Sequence, residues 1–196
     1  MQIKKEYITP SKYTRPQKEI KELLAVVMHW TADANADAQQ IRDYFDNCRY
    51  GNEGYKSAHY VIGRAGEIVQ CIPENEVAYH CGSSVTDPVS GLIYTDYARR
   101  KFGSFAKDYK TLSPNLVTIG IELCPKNFIN GDFTDETIQS AAELCADILA
   151  RNNMTENDIT THHNVVGWKC CPKLWTNNPA LFAAFKLSVG DILRRK

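Results

Sequence analysis

A chain of 196 residues is long enough for one well-buried core and short for two, and 43% hydrophobic with 23% charged residues is ordinary for a globular fold. Lysine plus arginine and aspartate plus glutamate both total 23, which removes the electrostatic case for a nucleic-acid binder or a polybasic membrane anchor and leaves a neutral glycan or peptide partner open. Seven cysteines, an odd number without a repeating framework, favour free thiols and a reducing compartment of synthesis over a disulfide scaffold.

Residues 1 to about 22 are polar, and Pro10 and Pro16 argue against a long helix, so this segment reads as an extended arm packed on a single domain of residues 23–196. It holds no apolar stretch of signal-peptide length and no later segment could span a bilayer, so synthesis in the cytoplasm without a leader is expected. Ala25 to Trp30 is a short apolar run suited to a buried strand, with His29 near its end. Ala38, Ile41, Tyr44, Phe45 and Cys48 then fall at helical spacing, and Gly51 is placed to end that helix. Ala58 to Gly63 and Glu67 to Ile72 flank Arg64-Ala65-Gly66 as a hairpin.

The stretch from about Ser83 to Pro114 is rich in Gly, Ser, Asp and Tyr and reads as a long irregular segment of the kind that lines binding sites. Val117 to Cys124 makes another buried strand. Thr134 can cap a helix from about Asp135 to Asn152, whose Ile138, Ala142, Cys145 and Leu149 share one stripe. Ile159 to His162 reads as a short strand delivering its last residue to the same edge as His29, and Asn178-Pro179 opens a final helix. The expected architecture is α/β, a mixed central sheet with helices on both faces and a metal site in a groove at one sheet edge.

Among the five histidines, His29 and His162 lie at or near predicted strand ends, and Cys171 follows nine positions after His162, directly before Pro172. Two imidazoles and one thiolate are a donor set that suits a catalytic zinc, because a fourth position stays open for water or a substrate carbonyl. Such an ion lowers the pKa of bound water toward about 7 and polarises a carbonyl. On spacing alone, a histidine at a strand end is more often a packing or hydrogen-bonding residue than a ligand.

Several segments in order carry more weight: Val27-Met28-His29-Trp30-Thr31-Ala32, Ser57-Ala58-His59-Tyr60, Gln70-Cys71-Ile72-Pro73, Ala78-Tyr79-His80-Cys81-Gly82, Thr118-Ile119-Gly120-Ile121-Glu122, and His162-His163-Asn164-Val165 with Lys169-Cys170-Cys171-Pro172. This series resembles the N-acetylmuramoyl-L-alanine amidases of the type-2 amidase family, which also holds peptidoglycan-recognition proteins and phage endolysin amidases. The resemblance runs from about Tyr13 through Trp175 and is closest to the catalytic domains of phage and prophage enzymes from Gram-positive hosts.

The resemblance implies a Zn2+ cofactor held by His29, His162 and Cys171, with Cys170 as an alternative thiolate because Trp168-Lys169 occupies more room than in many relatives. It implies Glu122 as general acid/base and Lys169 as the cation for an oxyanion. A carboxylate in the apolar strand Thr118 to Cys124 also wants a reason on its own, since burying it unpaired costs several kcal/mol. Relatives that use a tyrosine on the hairpin strand would place it at Ala58, which has no acid/base group, and this shifts the burden to Glu122.

By the same resemblance His80 faces substrate; His59 reads as a structural support of the sheet below the site, and Asn164 as a partner for a ligating histidine, whose other ring nitrogen is usually oriented by a hydrogen bond. The implied activity is zinc-dependent hydrolysis of the amide between N-acetylmuramic acid and L-alanine of peptidoglycan, acting on the wall after release from the cell or on cytoplasmic muropeptides. The alternative is a muropeptide-binding module of the same fold that does not cleave. A third reading gives the cysteines a redox role or a structural zinc with four protein ligands.

Overall fold

The computed structural model describes residues 1–83, 85–86, 91–107 and 112–195. Part of the segment expected to be irregular between Ser83 and Pro114 therefore lies outside the described residues. The remainder corrects that expectation with a helix, Asp96–Phe102, called α2 in chain order. Its sequence cues are the Thr95 hydroxyl, which accepts from the Ala98 amide as an N-cap, and the buried pair Ala98 and Phe102 one turn apart.

Six strands, β1 (Ile3–Lys5), β2 (Ala25–Trp30), β3 (Tyr60–Ile62), β4 (Ile68–Gln70), β5 (Thr118–Leu123) and β6 (Ile159–Thr161), form one sheet in the order β1-β4-β3-β5-β2-β6. Only the β3–β4 hairpin is antiparallel, so the sheet is mixed. The first strand lies within the polar arm: Ile3 pairs with Ile68, and Ile8, just beyond the strand, is fully buried. The expected hairpin strands are shorter than the apolar runs that announced them.

Side chains alternate across a strand, and here the alternation separates core from chemistry. Val26 and Met28 of β2, Ile119, Ile121 and Leu123 of β5, and Ile159 of β6 all join one core with α3 (Asp135–Arg151) and α6 (Pro179–Leu193). The intervening positions, including His29, Thr118, Gly120 and Glu122, point to the opposite face, where α1 (Ala38–Asn47), α2 and α4 (His162–Val166) pack. A fifth helix, α5 (Lys173–Asn177), adds Trp175 to the first core. No helix among the described residues is long and apolar enough to cross a membrane.

Local chemistry fixes the helix ends. Asp37 and Gln40 form a reciprocal capping box on α1, with the Gln40 amide 2.8 Å from Asp37 Oδ1 and the Asp37 amide 2.9 Å from Gln40 Oε1. Thr134 caps α3, whose first turn carries Asp135 and Glu136 and whose last carries Arg151, complementing the helix dipole at both ends. Gly51 ends the turn after α1 at φ +83°, against the Tyr13 ring, so any side chain there meets both backbone strain and a clash.

Ile121 is fully buried at the centre of the β5–α3 interface. Ile121→Ala is expected to cost about 2–5 kcal/mol in urea unfolding, because the packed sheet leaves a cavity behind. A loss under about 1 kcal/mol would show that this face is not packed as described.

Candidate metal centre

Parallel strands β2 and β5 run side by side with His29 opposite Glu122, and β6 lies on the other flank of β2 with Thr161 opposite Met28. The chain leaves β6 directly into α4, capped by the Thr161 hydroxyl, so His162 opens a helix where it was expected to close a strand. That turn brings His162 over the end of β2, its ring centroid 4.7 Å from that of His29. Cys171 returns to the same place, with Sγ 3.8 Å from His29 Nδ1.

One donor atom from each of His29, His162 and Cys171 lies within 4.8 Å of the others, and all three residues are buried. Cys170, weighed in the sequence as a possible ligand, is exposed and its Sγ lies 3.7 Å from Asn177 Oδ1. Each of the seven cysteines is a free thiol. The group of potential metal donors contains three side chains among the described residues, the number that leaves one tetrahedral position open.

Whether a cation belongs there can be tested on the donors themselves. Both ring nitrogens of His162 are buried without a hydrogen bond of ordinary geometry among the described residues, and a metal ion would engage one of them. Burial, then the Lys169 charge, pushes the His162 imidazole down to about 3, and burial with its neighbours His162, His80 and Lys169 holds His29 well below the usual range. Both are therefore neutral, the form that ligates. Burial and the nearby Glu122 charge raise the Cys171 thiol, so its ionised form needs a local cation. Tetrahedral donors at zinc distances sit roughly 3.5 Å apart, close to the observed sulfur–nitrogen separation. The residues present fit a divalent ion of the zinc class.

Glu122 stands beside this group. Its Oε2 is buried without a hydrogen-bond partner among the described residues, and burial raises its pKa to about 8 against the partial opposing pull of Lys169 and Lys56. Lys169 is exposed on the loop before Cys171, yet its charge is felt at Glu122, His29, His162 and Cys171. Beyond His29, Thr31 leads into an open cleft of about 460 Å³ that runs along α1 past Gln40 and Ile41 to Tyr44.

His80 lies against His29 with 8% of its surface exposed; its Nδ1 is 3.0 Å from His29 Nε2 and its Nε2 is 3.2 Å from Thr118 Oγ1. Both ring nitrogens are thus engaged within the protein, and a substrate contact would have to displace one of them. His59 is tied on both sides, accepting at Nδ1 from the Gly120 amide at 3.0 Å and donating from Nε2 to the Glu76 carbonyl at 2.8 Å. Asn164 corrects an expectation: its side chain reaches Thr160 Oγ1 at 3.4 Å rather than a ligating histidine, because its place in the first turn of α4 turns it toward β6.

Sequence reasoning passed over His163 and Gly120. The His163 amide donates to the Cys171 carbonyl at 2.8 Å and its Nδ1 to the Lys169 carbonyl at 3.0 Å, so the residue beside His162 fastens the loop that carries Cys171. Gly120 leaves room for the His80 ring, whose Cγ lies 2.4 Å from where a Cβ would stand. Gly120→Ala is expected to lower stability by about 1–3 kcal/mol through this overpacking, read as a lower thermal midpoint. An unchanged midpoint would mean that the ring moves away freely.

Comparison with known proteins identifies the family of the chain. The family described as N-acetylmuramoyl-L-alanine amidase matches residues 20–174. The chain is 32% identical over 197 residues to the N-acetylmuramoyl-L-alanine amidase CwlL of Bacillus licheniformis, covering 100% of this chain and 49% of that protein. It is 29% identical over 180 residues to the N-acetylmuramoyl-L-alanine amidase BlyA of Bacillus subtilis strain 168, covering 92% of this chain and 44% of that one. The chain spans about half the length of the curated relatives it matches. Among solved structures, the catalytic domain of XlyA superposes with a TM-score of 0.68 at 23% identity, covering 97% of this chain and all of that one, a likeness of fold.

Proposed function

Because the chain belongs to the N-acetylmuramoyl-L-alanine amidase family, matched over residues 20–174, we propose that it hydrolyses the amide joining the lactyl group of N-acetylmuramic acid to L-alanine in peptidoglycan, and that it does so with zinc. The observation that carries this reading is the meeting of three buried N, N and S donors, one each from His29, His162 and Cys171, at the carboxyl end of β2. Zinc held by His29, His162 and Cys171 would supply a Lewis acid that polarises the scissile carbonyl and makes a water acidic.

The protein's own residues divide the remaining work. Glu122, opposite His29 in the sheet, takes a proton from the attacking water and passes it to the leaving amine of alanine. The Lys169 ammonium faces the charge that develops on the carbonyl oxygen, a contribution of a few kcal/mol when the donor is preorganised. Burial of the ligands keeps bulk water from competing for the donors. The products are a glycan with a free lactyl carboxylate and a stem peptide with a free amino terminus, and loss of these links lyses the wall.

Incubating purified sacculi with the protein, with and without a chelator, and identifying the products by mass tests the reading. Free stem peptides released only in the metal-replete sample are expected. Binding to sacculi without cleavage in either sample would instead support the non-catalytic module.

A further inference from the structure

The hydrogen bonds around His80 can be assigned proton by proton. Thr118 Oγ1 lies 2.7 Å from the Pro114 carbonyl oxygen, which only accepts, so the hydroxyl proton points there. His80 Nε2 then faces two acceptors, that hydroxyl oxygen at 3.2 Å and the Thr118 carbonyl oxygen at 3.5 Å, and must itself carry a proton. The Cys81 thiol donates to Asn115 Oδ1 at 3.3 Å and takes no part in this assignment.

Neither partner of the His80 ring is a carboxylate, and burying an unpaired imidazolium costs several kcal/mol, so His80 is neutral and its Nδ1 is bare. That bare nitrogen lies 3.0 Å from His29 Nε2. A hydrogen bond across this gap takes its proton from His29. His29 is therefore protonated at Nε2 and bare at Nδ1, and Nδ1 is the nitrogen beside Cys171 Sγ, at 3.8 Å.

We propose that Thr118 and His80 form a relay that fixes the tautomer of His29, holding its Nδ1 lone pair toward His162 and Cys171, and that both are positioning residues rather than substrate contacts. The relay is an arrangement of the sheet: Thr118 and Gly120 are alternate residues of β5 on the face that carries His29, and the missing side chain of Gly120 lets the His80 ring lie between them and β2. Its consequence for zinc rests on the reading of His29 as a ligand. The tautomer assignment does not.

The test uses the full chain labelled with 15N at histidine. In metal-free protein the His29 ring nitrogens should show a fixed Nε2–H pattern; an Nδ1–H or averaged pattern overturns the relay. Zinc affinity, measured by competition with a chelating dye, should fall about 10–100-fold in Thr118→Val and return in Thr118→Ser, which keeps the hydroxyl.

An unchanged affinity in folded Thr118→Val, or an equal loss in both variants, overturns the proposal, because the second result reports packing alone. Should Thr118→Val fail to fold, the ring-nitrogen pattern of the unmodified chain decides. If the unmodified chain takes up no zinc, the ligand reading falls, and the relay is still judged by that same pattern.

Discussion

His29→Ala is expected to lose bound zinc and amidase activity together. His29 contributes one donor of the cluster and is 1% exposed near the end of a six-residue strand. Removing one of three protein ligands leaves a site that cannot hold the ion tightly. A Lewis acid is worth several kcal/mol in the transition state, so turnover should fall by roughly 10³-fold or more.

The substitution also leaves His80 Nδ1 without its partner, a further cost of about 1–3 kcal/mol, so circular dichroism must first show a folded variant. Cys171→Ser provides a second, isosteric removal. Metal content by mass spectrometry and peptide release from sacculi are measured on the same preparation. Full turnover in a metal-free sample of either variant would sink the zinc mechanism.

Glu122→Gln should separate chemistry from metal binding: zinc retained, activity reduced by about 10²–10⁴-fold, the usual contribution of a positioned acid/base. The same change reports on stability. The folded carboxyl titrates at about 8, above its unfolded value, so the folded state holds a proton that the unfolded state releases between about 4.5 and 8. Glu122 therefore favours folding fully only below that window, and the benefit is lost as pH rises through 8. Glutamine carries no such penalty.

With metal removed, Glu122→Gln should thus be more stable than the unmodified protein at pH 9, by up to about 5 kcal/mol, and match it at pH 4.5. An identical difference at both pH values would show that Glu122 is solvated. Below pH 6.5 the metal-free protein should lose stability from another source, because the unfolded state protonates the two ligand imidazoles and the folded state does not until about pH 3 for His162.

The strongly patterned elements were legible from the residues alone. β2, β5 and α3 announce themselves because an apolar run or stripe bounded by caps has few other ways to bury itself. β1 escaped notice since Ile-Lys-Lys carries almost no apolar signal; what holds it is backbone pairing to β4, which only tertiary proximity provides. α2 hid within a Gly- and Tyr-rich stretch although Thr95 and the Ala98–Phe102 pair mark it.

For the site, residue types and their order suggested which side chains might meet, but not which way they would face. The contact of His80 with His29 spans 51 residues and depends on the absence of a side chain at Gly120, a condition with no local signature. The bond from the Asn164 side chain to Thr160 could not be read either, because the helix begins at His162 and not beyond it.

The clamp made by His163 bears on how the centre assembles. Since that residue fastens the loop to α4 through both its amide and its ring, Cys171 and His162 are held together on one short stretch of chain. The third candidate donor, His29, lies on β2, which reaches the other two through its pairing with β6. Uptake of metal during refolding should then mark the instant at which those two strands zip, and a zinc-sensitive dye in a stopped-flow cell would serve as a clock for that single event.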